Sequence, residues 1–287
     1  MESIQQSKEQ HLLNLEHRYG AHDYHPLPVV LARGEGVFLW DVNEKKYYDF
    51  LSAYSAVNQG HCHPRIIKAL HDQSATLTLT SRAFHNNKLG DYLEFTTDYF
   101  GFESLLPMNT GAEGVETAIK ITRKWGHTIK GIPEGQAQIV VCDNNFHGRT
   151  TTIISFSSDA ASKNHFGPHT NGFIHIPYND TQALADVLAN NPNVAGFLVE
   201  PIQGEAGVYT PDEDFIRKAR QLCTDHNVLL IADEIQTGIG RTGALLAVCG
   251  NCSCEAACER QEATYTHPDL LILGKALSGG VYPVSAV

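Results

Sequence analysis

What most constrains this chain is an alternation of short apolar runs of strand length with stretches of helical periodicity. Residues 137–142, 194–199, 228–232 and 270–273 are apolar enough to be strands covered on both faces. Between them, residues 181–190 and 212–226 read as helices. The second opens Pro211-Asp212-Glu213-Asp214, acid first and basic residues later, the order a helix dipole favours. Residues 114–125 form a further helix, with Val115, Ala118, Ile119, Thr122 and Trp125 on one face. Such an alternation predicts an α/β fold with a mostly parallel sheet. Ahead of it, residues 37–42 and 45–48 read as a hairpin across Asn43-Glu44. Residues 1–51 are therefore expected to form an N-terminal arm with a small β-unit, and 52–287 one large domain.

Composition fits that reading and narrows it. The 287 residues leave room for a sizeable core, and 42% hydrophobic against 18% charged is globular rather than disordered composition. A formal net charge of −11 argues against a broad nucleic-acid face, while a local basic pocket for a small anion stays open. No run approaches the ~18 apolar residues of a membrane span. The start of the chain has no apolar core, no arginine before Arg18, and acids at Glu2 and Glu9. Neither a secretory signal nor a mitochondrial presequence is expected, and the address read from the sequence is cytoplasmic. Residues 281–287 are a last apolar run, read as a buried strand. Of seven cysteines, Cys62, Cys142 and Cys223 are scattered and expected to be reduced. Cys249, Cys252, Cys254 and Cys258 crowd into ten residues, a density that suits zinc. Cys252 and Cys254 stand very close for one tetrahedral site, so an unligated, redox-prone insertion is preferred and no metal site is assigned.

In parallel sheets, ligands sit beyond the carboxyl ends of the strands. There the chain places Glu200, then Asp233-Glu234, then Gly274-Lys275, each just past an apolar run. A lysine at a buried strand end is costly unless its charge is paired or its amine neutralised, and a Schiff base with an aldehyde cofactor is one solution. Pyridoxal phosphate would need an acid near its ring nitrogen, donors for its phosphate and a flat residue against the ring. Asp233, the backbone N–H groups of residues 109–113 and Phe146 are candidates for the three tasks. Singly, each has a plainer meaning: Thr110 as a helix cap, Phe146 as core, a lone lysine as surface. In this order and at strand ends they are specific together.

Five segments carry a resemblance: Thr110-Gly111-Ala112-Glu113-Gly114, Asn145-Phe146-His147-Gly148-Arg149-Thr150, Glu200-Pro201-Ile202-Gln203-Gly204-Glu205, Asp233-Glu234-Ile235-Gln236-Thr237-Gly238 and Gly274-Lys275-Ala276-Leu277-Ser278-Gly279-Gly280. They resemble the class III pyridoxal-phosphate-dependent aminotransferases of fold type I. The likeness runs from about Asn14 to Val287, apart from one insertion. Two N-terminal stretches, Tyr19-Gly20-Ala21-His22-Asp23-Tyr24 and Asn58-Gln59-Gly60-His61-Cys62-His63-Pro64, are similar to the ornithine-using branch of that family. The resemblance implies a fold type I large domain, pyridoxal 5'-phosphate as cofactor, and a homodimer that transfers the δ-amino group of L-ornithine to 2-oxoglutarate. It implies that Lys275 binds the cofactor and moves the proton, that Asp233 pairs with the ring nitrogen, and that Phe146 lies on the ring. Gln236 would contact the phenolic oxygen, and Gly111 and Ala112 the phosphate. Arg149 would clamp a substrate carboxylate, Tyr24 and Tyr54 would shape the ornithine end, and Glu205 would gate the pocket.

The chain departs from the family pattern in three places. His147 stands where a Trp or Tyr is expected beside Phe146. The stretch from Asp233 to Lys275 is long and carries the cysteine cluster. Family members continue past the equivalent of Val287, so the C-terminal small domain is expected to be absent. Rival readings are an inactive scaffold of the same fold, or another class III aminotransferase using acetylornithine or 4-aminobutyrate. A metal-dependent hydrolase built on His61, His63, Asp233 and Glu234 leaves Lys275 unexplained, and His61-Cys62-His63-Pro64 reads more simply as a turn entering a helix.

Overall fold

The computed structural model describes residues 7–249 and 266–287. Cys252, Cys254 and Cys258 lie outside the described residues, as does the Cys249 side chain, and the zinc reading of that cluster lies there with them. The chain divides into two compact units, Met1–Ala53 with Gln59–Thr78 and Tyr54–Asn58 with Leu79–Val287. No helix among the described residues is long and apolar enough to cross a membrane.

The first unit holds α1 (Lys8–Tyr19) and an antiparallel sheet of β1 (Leu31–Glu35), β2 (Phe38–Asp41) and β3 (Lys46–Tyr48), in that order. The expected hairpin is present, with Phe38 opposite Tyr48 and Trp40 opposite Lys46. Asp41 closes its turn by accepting from the Asn43 and Lys45 N–H groups and the Tyr47 hydroxyl, at 2.8, 3.0 and 2.8 Å. A single turn, α2 (Ser52–Ser55), whose first two residues belong to this unit and last two to the second, has positive φ at all four residues, a left-handed stretch that L-residues resist. In α3 (Pro64–Ser74) proline takes the first position, as the His61–Pro64 turn suggested. His61 is engaged by Asp49, its Nε2 lying 2.7 Å from Oδ2.

The second unit is the α/β domain. It runs through α4 (Leu89–Phe100), β4 (Pro107–Met108), α5 (Gly111–Trp125), β5 (Gln138–Cys142), α6 (Thr151–Ser155), α7 (Ala160–Lys163) and β6 (Phe173–Ile176). It continues through α8 (Thr181–Asn190), β7 (Val194–Val199), α9 (Phe215–Asp225), β8 (Leu229–Asp233), β9 (Leu270–Ile272) and β10 (Ser285–Ala286). Five parallel strands lie in the order β6-β5-β7-β8-β9. Alternate residues serve opposite faces, as a pleat requires. Ile139, Val141, Leu198 and Ile231 pack with Val115, Ala118 and Ile119 of α5. Val140, Cys142, Phe197, Val199 and Leu230 pack with Leu184 and Leu188 of α8 and Phe215 of α9. Helices on both faces explain why these strands are unbroken apolar runs rather than alternating ones.

Two helix starts and one strand differ from expectation. Helix α5 begins at Gly111 rather than 114, because Thr110 and Glu113 form a capping box. Helix α9 begins at Phe215 rather than 212: the Asp212 N–H is drawn to Asn179 Oδ1 at 3.0 Å, outside the helical ladder. Of the apolar run 281–287, only Ser285–Ala286 pairs as a strand, antiparallel to β4.

Candidate active site

The strand order creates a switch point. From β5 the chain moves outward to β6, then crosses back over β5 to β7 and continues to β8 and β9 on the other side. The loops leaving β5 and β7 diverge, opening a crevice beyond their carboxyl ends. Phe146 and His147 follow β5, Glu200 follows β7, Asp233 ends β8 and Lys275 follows β9.

Asp233 is held at both oxygens. His147 Nδ1 lies 2.6 Å from Oδ2, and the Ile235 N–H donates to Oδ1 at 3.1 Å. The side chains of His147 and Asp233 are 0% and 4% exposed. Glu200 is buried as well, its Oε2 accepting from the Phe146 N–H at 3.0 Å. Burial pushes the Glu200 carboxyl up to about 7; His147 opposes the rise and the Asp233 charge adds to it. Lys275 is half-buried, and burial lowers its amine while the carboxylates of Glu205, Asp233 and Glu200 hold it up. Its φ of 42° lies in the left-handed region, strain of about 1–3 kcal/mol of the kind found at functional turns. Gly274 and Gly279 flank that turn, Lys275–Ser278.

The start of α5 is packed directly into this rim. A Cβ on Gly111 would stand 3.0 Å from Ile235 Cδ1, and one on Gly274 3.2 Å from Ile235 Cγ2. Ile235 therefore joins the helix start to the loops of Asp233 and Lys275. From the β5 side, Gly148, at φ 128°, approaches Ala112 so closely that a Cβ would stand 3.1 Å from the alanine methyl. Thr110 Oγ1 accepts from the Glu113 N–H at 3.2 Å, and the Glu113 carboxylate accepts from the Asn109 and Thr110 N–H groups at 2.9 and 2.8 Å. The Gly111 and Ala112 N–H groups precede the first intrahelical bond, Gly114 N–H to the Thr110 carbonyl, at the positive end of the helix.

The remaining predicted residues are spread more widely. Gln236 Nε2 donates to Glu205 Oε1 at 3.0 Å, pairing two residues read separately from the sequence. The Arg149 guanidinium lies 5.1 Å from the centre of the Phe146 ring. Tyr54 is 44% exposed and belongs to the second unit, on the left-handed turn α2. Tyr24 is exposed and belongs to the first unit. Sequence reasoning gave no role to Glu200 and treated His147 as a packing change. The sequence did place Glu200 on the rim, immediately after a run that the structure shows as a fully buried strand. Among the described residues, no three His, Cys, Asp or Glu side chains gather as a metal site. A cavity of about 250 Å³, lined by Thr96, Phe100, Leu106, Ile121, Leu271 and Val287 among others, contains none of the site residues.

Residues 19–287 match the family model for aminotransferase class-III. An ornithine aminotransferase, mitochondrial, of Drosophila ananassae is 56% identical over 272 residues, covering 95% of this chain and 60% of the relative. The chain thus spans about three-fifths of the length of that curated relative. Among solved structures, an ornithine aminotransferase from Toxoplasma gondii, crystallised with oxidised glutathione and showing partial occupancy of PLP at its active site, superposes with a TM-score of 0.91. It is 47% identical, covering 97% of this chain and 62% of that one. An acetylornithine aminotransferase from Elizabethkingia anophelis gives a TM-score of 0.82 at 54% identity, covering 98% and 64%.

Proposed function

The chain belongs to the class III aminotransferases, and from that membership we propose that its site transfers the δ-amino group of L-ornithine to 2-oxoglutarate, yielding glutamate-5-semialdehyde and glutamate. The observation that carries this reading is the meeting of a half-buried lysine, a doubly held buried carboxylate and an open helix start on one sheet rim. That donor set fits pyridoxal 5'-phosphate. When bound, the cofactor supplies an aldehyde for the amine and a ring that accepts electrons.

The chain's own groups divide the remaining work. Lys275, its amine made easier to deprotonate by burial, holds the cofactor and carries the proton from and to the substrate carbon bearing the amine. Asp233 presents a fixed negative charge to the ring nitrogen, and Phe146 covers the ring face. The Gly111 and Ala112 N–H groups, at the positive end of α5, bind the phosphate. Gln236 reaches the phenolic oxygen, and the Glu205 carboxylate that it contacts gates the pocket. Arg149 clamps a substrate carboxylate with its planar fork, and Tyr24 and Tyr54 shape the ornithine end. The active form is a homodimer. The cytoplasmic address is part of the same proposal; the Drosophila ananassae relative is named mitochondrial, and cell fractionation decides between the two.

The test is amino transfer by the purified chain supplied with pyridoxal 5'-phosphate, L-ornithine and 2-oxoglutarate. Glutamate should form, and Lys275→Ala should abolish its formation; a Lys275→Ala chain that still transfers would overturn the mechanism. The Elizabethkingia anophelis likeness supports a second reading, with acetylornithine as donor. A higher kcat/KM for N-acetylornithine than for ornithine would favour it, and cofactor binding without transfer from any donor would favour an inactive scaffold.

A further inference from the structure

We propose that His147 is a positioning residue for Asp233, its Nδ1–H fixing the carboxylate that faces the cofactor's ring nitrogen; the second half of that statement rests on the function proposed above. The 2.6 Å approach of Nδ1 to Oδ2 joins the loop after β5 to the end of β8, across the end of β7 and 86 positions apart in sequence. An ionised carboxylate only accepts, so the proton of this bond belongs to Nδ1. The Ile235 N–H takes the other oxygen, which leaves Asp233 no freedom to rotate.

The other end of the imidazole makes the assignment specific. His147 Nε2 is buried and has no hydrogen-bond partner among the described residues. The ring is therefore anchored by one polar contact, to Asp233, and by packing near Phe156, whose ring centre is 5.8 Å away. A residue kept only for volume would have no reason to bury an unpaired nitrogen, which is costly. Burial works to lower the imidazole pKa, and the bond to Asp233 with the charges of Asp233 and Glu200 reverses this to a net rise. The charged groups around the pair come from three strand ends: Glu200 after β7, Asp233 on β8 and Lys275 after β9. An apolar neighbour at position 147 would leave the Asp233 carboxylate buried with one bond fewer and free to turn away from the ring nitrogen.

Two measurements test the pairing. In the cofactor-free wild-type chain, 15N NMR of labelled histidine should show His147 protonated at Nδ1; a bare Nδ1 would overturn the proposal. Next, His147→Asn and His147→Phe are titrated with pyridoxal 5'-phosphate, following the absorbance of the bound cofactor against pH. Asparagine can place an N–H close to where Nδ1 stands, whereas phenylalanine keeps ring volume without a donor. His147→Asn should bind within about threefold of wild type, and His147→Phe about tenfold or more weaker, with the cofactor's absorbance transition displaced in pH. Equal losses in the two variants, or tighter binding by phenylalanine, would assign His147 to packing alone and overturn the proposal. A wild-type chain that fails to bind the cofactor while Nδ1 is protonated would overturn the function proposed for the site and leave the pairing standing.

Discussion

Glu234 offers a sharp test of how burial sets the chemistry of this rim. Its side chain is 1% exposed, accepting from the Val248 N–H at 2.8 Å and from the Thr237 hydroxyl. Burial pushes its carboxyl up to about 7 from an ordinary 4.5; the Thr237, Val248 and Ala247 contacts oppose the rise and the Asp233 charge adds to it. Between those two values the folded chain keeps a proton that the unfolded chain has released. Stability from this group is thus fully present below about pH 4.5 and is lost as pH rises through about 7. At about 1.4 kcal/mol for each pH unit between the two values, the loss is about 3 kcal/mol. Glu234→Gln keeps the shape, a carbonyl acceptor for Val248, and a group that can meet the Thr237 hydroxyl, yet cannot ionise. Relative to wild type, the variant should gain about 3 kcal/mol between about pH 4 and about pH 8. Glu200 contributes a similar slope to both proteins and cancels in the difference. Urea unfolding followed by circular dichroism across that range reads the quantity directly. Parallel stability curves for the two proteins would refute the reasoning.

Other outcomes follow from the same contacts. Thr110→Ala removes the acceptor for the Glu113 N–H and should cost about 1 kcal/mol in urea unfolding. Asp233→Ala should weaken pyridoxal 5'-phosphate binding about tenfold or more, measured by cofactor absorbance; unchanged affinity would remove Asp233 from the site. Phe197→Ala empties a fully buried position in β7 and should cost about 3–5 kcal/mol, measured by chemical denaturation. A loss below about 1 kcal/mol would contradict its place in the core.

Much of the second unit was legible because its strands are covered on both faces. The runs at 137–142 and 194–199 have few polar interruptions, and the structure contains β5 and β7 there. Helix α8 occupies the same residues, 181–190, that its periodicity marked out. By contrast, β1 was invisible: Leu-Ala-Arg-Gly-Glu lacks a strand pattern, and pairing with β2 organises it. Strand β4, two residues long, was equally unmarked and is organised by pairing with β10, which lies within the apolar run at 281–287. At the site, Lys275 and Asp233 could be read from their places at strand ends. The His147–Asp233 contact could not, since sequence carries residue type but not the distance across 86 positions. Glu200 shows the same limit: its neighbours in sequence do not reveal how deeply its side chain is buried.

The closure of the second unit has a consequence in time. Ser285 Oγ donates to the Thr110 carbonyl at 2.6 Å, across 175 positions, and β10 pairs with β4 beside it. The segment after the lysine turn is thereby stitched to the segment that opens α5. Contacts this distant in sequence carry more loop-closure entropy than local ones and form after them. The hairpin, the helices and the neighbouring strand pairs can arise early, whereas the rim acquires both the lysine and the helix start only when this seam is sewn. The capacity to hold a ligand is then a late event in folding, and a ligand bound there would stabilise the unit at a contact of long sequence range.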